Sequence, residues 1–425
     1  MKHYLSIIFI IITLTSNSYA QHEGMHDTGD MPSMLGMSAR QSMFGAYPAD
    51  RDSSGTSWQP DSTPISGYHL MNNPWNLMIM GFCNGNYTNQ GSKRGNQKLY
   101  SSSMFMLMGH KMSGSSTLGF KGMLSLDPTQ GPGGYPLLLQ TGETPDGRVP
   151  LIDRQHPHDL FMELALTYSL QLQSNNSMFV YLAPIGEPAL GPTVYVDRFS
   201  GTYIPEAPIS HHWLDSTHIT FGVITLGYIL DSLKLEVSSF RGKEPDENRW
   251  DIETPRLDSY STRLSFNPSP QWAFQVSTGH LTKPEQLEPD TDINRTTFSV
   301  IHNYPIEQGN IQTTFAWGRN NKIPGSDTDA FLLESTTQLN QRHYIFGRVE
   351  RVEKDELFLP EDPRSEEVYI VHKATLGYAY DVITWNNMKW QVGSSIGVSI
   401  LPKKLIEVYG GQAPLSIAFY TGLRL

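Results

Sequence analysis

From about residue 74 to its end, the chain alternates apolar and polar residues one by one, in segment after segment. Met162, Leu164, Leu166, Tyr168, Leu170 and Leu172 fall on one side of their segment, and Glu163, Ala165, Thr167, Ser169 and Gln171 on the other. Trp390, Val392, Ile396, Val398 and Ile400 oppose Lys389, Gln391, Gly393, Ser395 and Ser399 in the same way. A period of two describes strands with one apolar and one polar face. About sixteen such segments follow one another, within a range of about fourteen to eighteen, the first at Pro74–Cys83 and the last at Ala413–Leu425. Tight turns such as Ser113-Gly114, Asp231-Ser232 and Asn340-Gln341-Arg342 alternate with long loops such as Asp127–Leu160 and Pro184–Asp215. An even number of strands of ~10 residues, with turns at one end and long loops at the other, predicts an all-β fold, an antiparallel transmembrane β-barrel. A soluble sandwich has shorter strands, and a β-helix has a fixed repeat; neither matches the pattern.

The turn–loop parity orients the chain. Long loops face outward and short turns face the periplasm, so both ends of the barrel lie on the periplasmic side. The first twenty residues read as an export signal: Lys2, a nearly continuous Ile, Leu and Phe run from Leu5 to Leu14, and small residues at Ser18 and Ala20. The expected organisation is a cleaved signal over 1–20, a flexible periplasmic segment over 21–73, and a barrel over 74–425 in the outer membrane of a Gram-negative cell. Its surroundings would be outer-membrane lipid and lipopolysaccharide, and a homotrimer is the assembly common among porins of this size.

Composition changes this picture little. Mean hydropathy is −0.35 with 38% hydrophobic residues, but a barrel hides its apolar surface in every second position. The single cysteine, Cys83, excludes internal disulfides and a cysteine-based metal cage. A net charge of −11 argues against nucleic acid as a partner and for cations over anions.

The segment 21–73 carries candidate chemistry. His22, Met25 and His26 open a run continued by Met31, Met34, Met37 and Met43. Thioether sulfur suits Cu(I), and imidazole suits Cu and Zn, so His22, Met25 and His26 are candidate metal donors; the bland alternative is a Met-rich linker. A Met/His-rich segment ahead of an outer-membrane barrel resembles the arrangement in copper-resistance outer-membrane proteins of Gram-negative bacteria, which implies copper handling. The motifs Arg154-Gln155-His156-Pro157-His158-Asp159 and Ser210-His211-His212-Trp213-Leu214-Asp215-Ser216 also look like those of bacterial barrel proteins without assigned activity.

Those two motifs end the two longest loops, each directly before an even-numbered strand, and therefore arrive at the same extracellular rim. His156, His158, Asp159, His211, His212, Asp215 and His218 can converge if the loops fold inward, giving a nitrogen- and oxygen-rich set suited to Zn(II) or Cu(II). The competing readings are hydrogen-bonded struts in a packed loop, or a hydrolase in which Ser210 or Ser216 is activated by a histidine. Glu163, Lys234, Glu236, Arg263, Arg348, Glu350 and Lys373 are expected to face the lumen. Met104, Met106, Met108, His110 and Met112 share one face of the second strand, a thioether ladder if that face looks inward and lipid-facing surface if it looks outward.

The function expected from these features is a non-enzymatic barrel, a channel or binding protein for metal, with copper or zinc the only cofactors implied. The alternative is a general or substrate-specific porin for small solutes with a histidine-rich constriction. A barrel-embedded lipid hydrolase is the third reading.

Overall fold

A computed structural model describes residues 41–425 except Asn73 and Glu366; the side chains of Met71 and Asn72 are likewise not described. Nineteen strands follow in chain order. The first six are β1 (Tyr68–Asn72), β2 (Trp75–Gln90), β3 (Gln97–Ser113), β4 (Ser116–Leu124), β5 (Tyr135–Thr141) and β6 (Ile152–Gln155). Then come β7 (Phe161–Gln173), β8 (Asn176–Gly186), β9 (Thr220–Leu230), β10 (Leu233–Phe240), β11 (Ser259–Ser269) and β12 (Trp272–Leu281). The last seven are β13 (Asp292–Ile306), β14 (Gly309–Ile323), β15 (Asp327–Leu339), β16 (His343–Lys354), β17 (Tyr369–Trp385), β18 (Met388–Ile400) and β19 (Leu415–Arg424).

Sixteen of these form a closed antiparallel barrel. Each pairs with its neighbour in sequence, with β4 meeting β7 across the first long loop and β19 meeting β2 to close the ring. The two-stranded sheet β5–β6 lies within that loop. Closure is uneven, because β19 ends where Arg424 faces Phe82 and leaves Trp75–Gly81 of β2 unpaired on that side. There β1 folds back as a hairpin, pairing Tyr68 with Ile79 through Asn72 with Trp75. An edge that would otherwise present bare N–H and C=O groups is thereby covered. The backbone amide of Leu425 completes the seam on the carbonyl of Gly81.

Side chains divide as the alternation requires. Leu166, Tyr168, Leu226, Tyr228, Leu235, Val237, Leu376 and Phe419 are exposed on the outside, the lipid-facing set of a transmembrane barrel. Glu163, Lys234, Glu236, Arg263, Arg348, Glu350 and Lys373 are all buried inside. The turns are those expected from local chemistry: Gly114, Asp231, Asn340 and Gln341 take positive φ at the connections between paired strands.

The lumen is filled from both ends. Residues 41–67, expected within a flexible segment over 21–73, run instead through the barrel interior. Met43, Phe44, Tyr47 and Trp58 are buried there, Phe44 against Phe179 and Tyr47 edge-on to Trp58. The wall grips the backbone of this plug: Lys121 Nζ donates to the carbonyls of Ser53 and Gly55, Lys234 to Thr56, and Asn267 to Gln59. Arg51 pairs with Asp61 at 2.7 Å within it. Three aromatic anchors and a set of charged wall groups overcome a composition that, read locally, cannot form a core. Residues 68–72 of the expected segment form β1, and its remainder, 21–40 and Asn73, lies outside the described residues, as does the export signal.

From the other end the loop between β8 and β9 descends into the lumen. Its Arg198 is fully buried and donates to Asp215 Oδ2 and Glu334 Oε1, both at 2.8 Å, and to the carbonyl of Thr193. Arg348 shares Glu334 and also donates to the carbonyl of Glu206, whose carboxylate takes Lys373 at 2.9 Å. Ser210 donates to Glu350 at 2.7 Å. The inward-facing charges of the wall thus clamp a loop. At the outer end, Lys322 joins Glu356 at 2.8 Å, Asp355 at 3.1 Å and Glu288 at 3.3 Å, tying two further loops together.

Replacing Arg198 by Met strands two buried carboxylates, a class of change that costs about 3–5 kcal/mol. The expected result is a lower unfolding midpoint in denaturant together with protease cleavage between residues 187 and 215; an unchanged midpoint with a protected loop would remove the clamp from the argument. The Lys322 latch carries a pH signature. Burial would raise the Glu356 carboxyl, but Lys322 overcomes it and holds the group at about 2 against an ordinary 4.5. A carboxylate depressed in the folded state stabilises above its unfolded value and loses that contribution as pH falls through its folded one. The thermal stability gap between the parent and Glu356→Gln should therefore be full above about pH 4.5 and close toward about pH 2, as melting curves in detergent would record.

Candidate functional site

The two histidine motifs meet, but inside the barrel rather than at an exposed rim. His156 and His158 follow β6, while His211 and His212 open the one-turn helix α1 (His211–Leu214). The strand expected from Ser216 begins only at Thr220. Ser216–His218 instead forms a further helical turn, held by the carbonyl of Asp215, which accepts from His218 Nδ1 at 2.8 Å. All five imidazoles are buried. Their ring centres lie 5.2 Å apart for His211 and His218, 5.3 Å for His158 and His218, 5.5 Å for His211 and His212, 5.7 Å for His156 and His212, and 6.3 Å for His156 and His211.

Oxygen acceptors fix which ring nitrogen is free. His211 Nδ1 donates to Asp215 Oδ1 at 2.7 Å, His158 Nδ1 to Asp127 Oδ2 at 2.9 Å, His218 Nδ1 to the Asp215 carbonyl, and His156 Nδ1 to the Pro157 carbonyl at 3.2 Å. A carbonyl or ionised carboxylate can only accept, so Nδ1 of His158, His211 and His218 carries the proton and those rings, when neutral, keep the lone pair on Nε2; His156 is the exception, since its Nε2 also faces a carboxylate. The Nε2 atoms of His211, His212 and His218 are buried without a hydrogen-bond partner. His158 Nε2 lies 3.4 Å from the Tyr195 hydroxyl, and His156 Nε2 lies 3.3 Å from Glu143 Oε1.

Electrostatics favour neutral rings at this centre. Burial, reinforced by neighbouring imidazoles, pushes His156 and His218 well below the usual histidine range, and burial lowers His211 against the pull of Asp215. Burial would raise Asp215, but Arg198 and His211 overcome it and hold the carboxyl well below the ordinary range. His212 differs. Burial would lower it, yet Glu244 and Glu285 raise it to about 10, and in return Glu244 is held near 2 while burial and Glu244 lift Glu285 to about 7. One ligand atom from each of His212, Glu244 and Glu285 lies within 4.8 Å of the others, and both Glu244 oxygens are buried without a hydrogen bond. Gly142 makes this approach possible: at φ +101° its backbone passes so close that a Cβ would stand 2.5 Å from His212 Cε1.

Outward from His212 lies a cavity of about 300 Å³, lined among others by Glu143, Glu285, Glu288, Asp355 and Glu356. Inward, a cavity of about 40 Å³ reaches His156, His158, Tyr195 and Met104. The expected carboxylates do not face the imidazoles as ligands. Asp215 orients His211 and His218, and Asp159 is committed to Arg249 at 3.1 Å. Ser210 and Ser216, considered as nucleophiles, engage Glu350 and Arg295. Sequence reasoning missed Asp127, Glu143, Glu244 and Glu285, which come from three different loops; the acidic bias of those loops was the only signal they gave. His22, Met25 and His26 lie outside the described residues. The face of β3 bearing Met104, Met106 and Met108 looks inward: Met104 and Met106 are buried, whereas Met112, at the end of the strand, is exposed.

No protein-family model matches the chain, and no curated protein matches it. Among solved structures it is similar to the OmpF porin of Salmonella typhi in complex with daunomycin, at 11% identity and a TM-score of 0.50, covering 84% of this chain and 100% of that one. It is also similar to the anion-selective porin from Comamonas acidovorans, at 9% identity and a TM-score of 0.47, over 82% of this chain and 99% of that one. The outer membrane channel DcaP of Acinetobacter baumannii matches at 11% identity and a TM-score of 0.46, over 85% and 100%. At these identities the likeness shows the fold alone: a porin-like, sixteen-stranded outer-membrane barrel.

Proposed function

We propose that this chain is an outer-membrane protein that takes a divalent transition-metal ion, Zn(II) or Cu(II), from the outer side and holds it in a nitrogen-rich site inside its barrel. The observation that carries this reading is the shared tautomer of the histidines. Protein-bound metal ions are commonly ligated by histidines whose other nitrogen donates to a carboxylate or carbonyl, which orients the ring and raises its basicity. His158, His211 and His218 each have that second partner: Asp127, Asp215 and the Asp215 carbonyl. Two imidazoles bound through Nε2 to one tetrahedral ion at ~2.0 Å have ring centres ~5 Å apart, near the spacings about His218, while among the described residues His212, Glu244 and Glu285 are the three whose ligand atoms already lie within 4.8 Å of one another. Buried struts, by contrast, would have both ring nitrogens engaged.

The acidic vestibule fits the same reading. Glu143, Glu285, Glu288, Asp355 and Glu356 concentrate negative charge at the outer mouth, a field that raises the local concentration of cations. His212 with Glu244 and Glu285 forms the next step inward, where an incoming divalent ion would replace the proton that those carboxylates hold on the imidazole. His156 lies between that group and His211. His22, Met25 and His26 would add donors on the periplasmic side. Copper is the metal favoured by the resemblance of the N-terminal region; the imidazole set itself accepts zinc equally.

The second reading is a porin, favoured by the fold. The plug and the inward loop weigh against free diffusion, since the cavities along the lumen hold about 80 and 40 Å³ among the described residues, room for a few waters. Planar-bilayer recording of the full-length protein should therefore show no steady large conductance; a stable open pore would favour the porin. Calorimetric titration with Zn(II) should show that the double variant His211→Ala/His218→Ala binds one equivalent fewer than the parent. Equal stoichiometry in parent and variant would make the histidines structural.

A further inference from the structure

A second set of possible metal donors lies at the seam, beside the end of β19, and shares no side chain with the histidine centre. Strand register places Met80 of β2 directly opposite Met106 of β3, and Met106 in turn opposite Met123 of β4. All three are inward positions, since Ile79, Phe105, Leu107 and Leu124 are exposed on the other face. Directly opposed inward residues have Cβ atoms ~5 Å apart, so the thioethers of Met80 and Met106 meet without distortion of the wall. Met104 and Met108 flank Met106 on the same face of β3.

These methionines do not pack only against one another. Met80, Met104, Met106 and Met108 line a cavity of about 80 Å³ that also reaches Asp197, Arg424 and Leu425. Both oxygens of Asp197 are buried, and neither makes a hydrogen bond. The positive groups nearby spend their hydrogen bonds elsewhere, Arg424 on Thr202 and Lys121 on the plug carbonyls of Ser53 and Gly55, although the Lys121 charge still acts on Asp197. A buried carboxylate without a hydrogen bond is costly unless it takes up a proton or a cation joins it. A methionine cluster alone reads as adaptable core filler; a methionine cluster around a cavity with a carboxylate that makes no hydrogen bond is a different object.

We propose that Met80, Met104 and Met106, with Asp197 as counter-charge, bind a soft monovalent cation of the Cu(I) or Ag(I) class inside the lumen, beside the end of β19. Thioether sulfur selects such ions over Zn(II) and over hard cations, and one carboxylate neutralises one positive charge without the dense charge a divalent ion needs. Met104 also lines the small cavity that reaches His156 and His158, so the two sites adjoin through it. The proposal stands on donors separate from those of the histidine reading and survives its failure.

The test uses the full-length chain in detergent, titrated with Ag(I) and, under reducing conditions, with Cu(I) against a competing chelator. Met80→Leu/Met106→Leu keeps side-chain volume, a change that cores tolerate, and should remove one tightly held equivalent of Ag(I) while leaving Zn(II) stoichiometry unchanged. His211→Ala/His218→Ala should do the reverse. Asp197→Asn should weaken Ag(I) at this site about tenfold while preserving the methionines, which covers the case of a methionine variant that does not fold. X-ray absorption of the Cu(I)-loaded parent should show sulfur scatterers that diminish in the methionine variant. If the folded methionine variant holds as many Ag(I) equivalents as the parent, or Asp197→Asn binds with unchanged affinity, the row is packing and the proposal is overturned.

Discussion

The interior depends on one buried cation. Arg198 sits between Asp215 of its own loop and Glu334 of the wall, and each contact does a different job. The bond to Glu334 fixes the loop between β8 and β9 to the barrel. The bond to Asp215 fixes the carboxylate that sets the tautomer of His211, while the carbonyl of the same residue sets that of His218. A buried ion pair is weak evidence for stability as such, because desolvation offsets attraction. Its value here is geometric. With several kcal/mol at stake if either partner is left alone, the loop has few ways to sit, and the imidazoles inherit that restriction.

The polar face of the barrel therefore has a use other than lining water. Lys121, Lys234 and Asn267 hold backbone carbonyls of the plug, while Arg348, Glu350 and Lys373 hold the inward loop. Irregular backbone at membrane depth is tolerated only where protein or water satisfies its polar groups. In this chain the wall side chains satisfy it, and the residual spaces are lined by imidazole, carboxylate and thioether.

Much of this was legible in the sequence. The alternation gave about sixteen strands and the facing of most of them, because period two is imposed on every strand by lipid on one side. The approach of His156 and His158 to His211, His212 and His218 followed from the parity of two loops. What could not be read is non-periodic. Residues 41–67 carry three aromatic anchors spread over fifteen positions, too sparse for any repeat, and their order comes from wall groups far away in the chain. Glu143, Glu244 and Glu285 look like ordinary loop carboxylates until the loops fold together. Asp159 had the right neighbours in sequence and the wrong one in space, since Arg249 claims it. The inward turn of Met104 and Met106 was an open choice because both faces of β3 are apolar near its middle.

The seam adds a temporal constraint to a static picture. Strand β2 is paired on one side by the last strand and, below it, by the hairpin that leads directly out of the plug. Joining β2 to β19 brings together nearly the whole length of the chain, the kind of contact whose loop-closure entropy makes it late and slow. The plug is continuous with the strand that waits for this event, so its gathering within the curling sheet must precede or accompany ring closure. A chain that closed first would have to thread aromatic anchors through a finished mouth. Order of assembly is thus written into the connectivity: the contents are laid in before the vessel is shut.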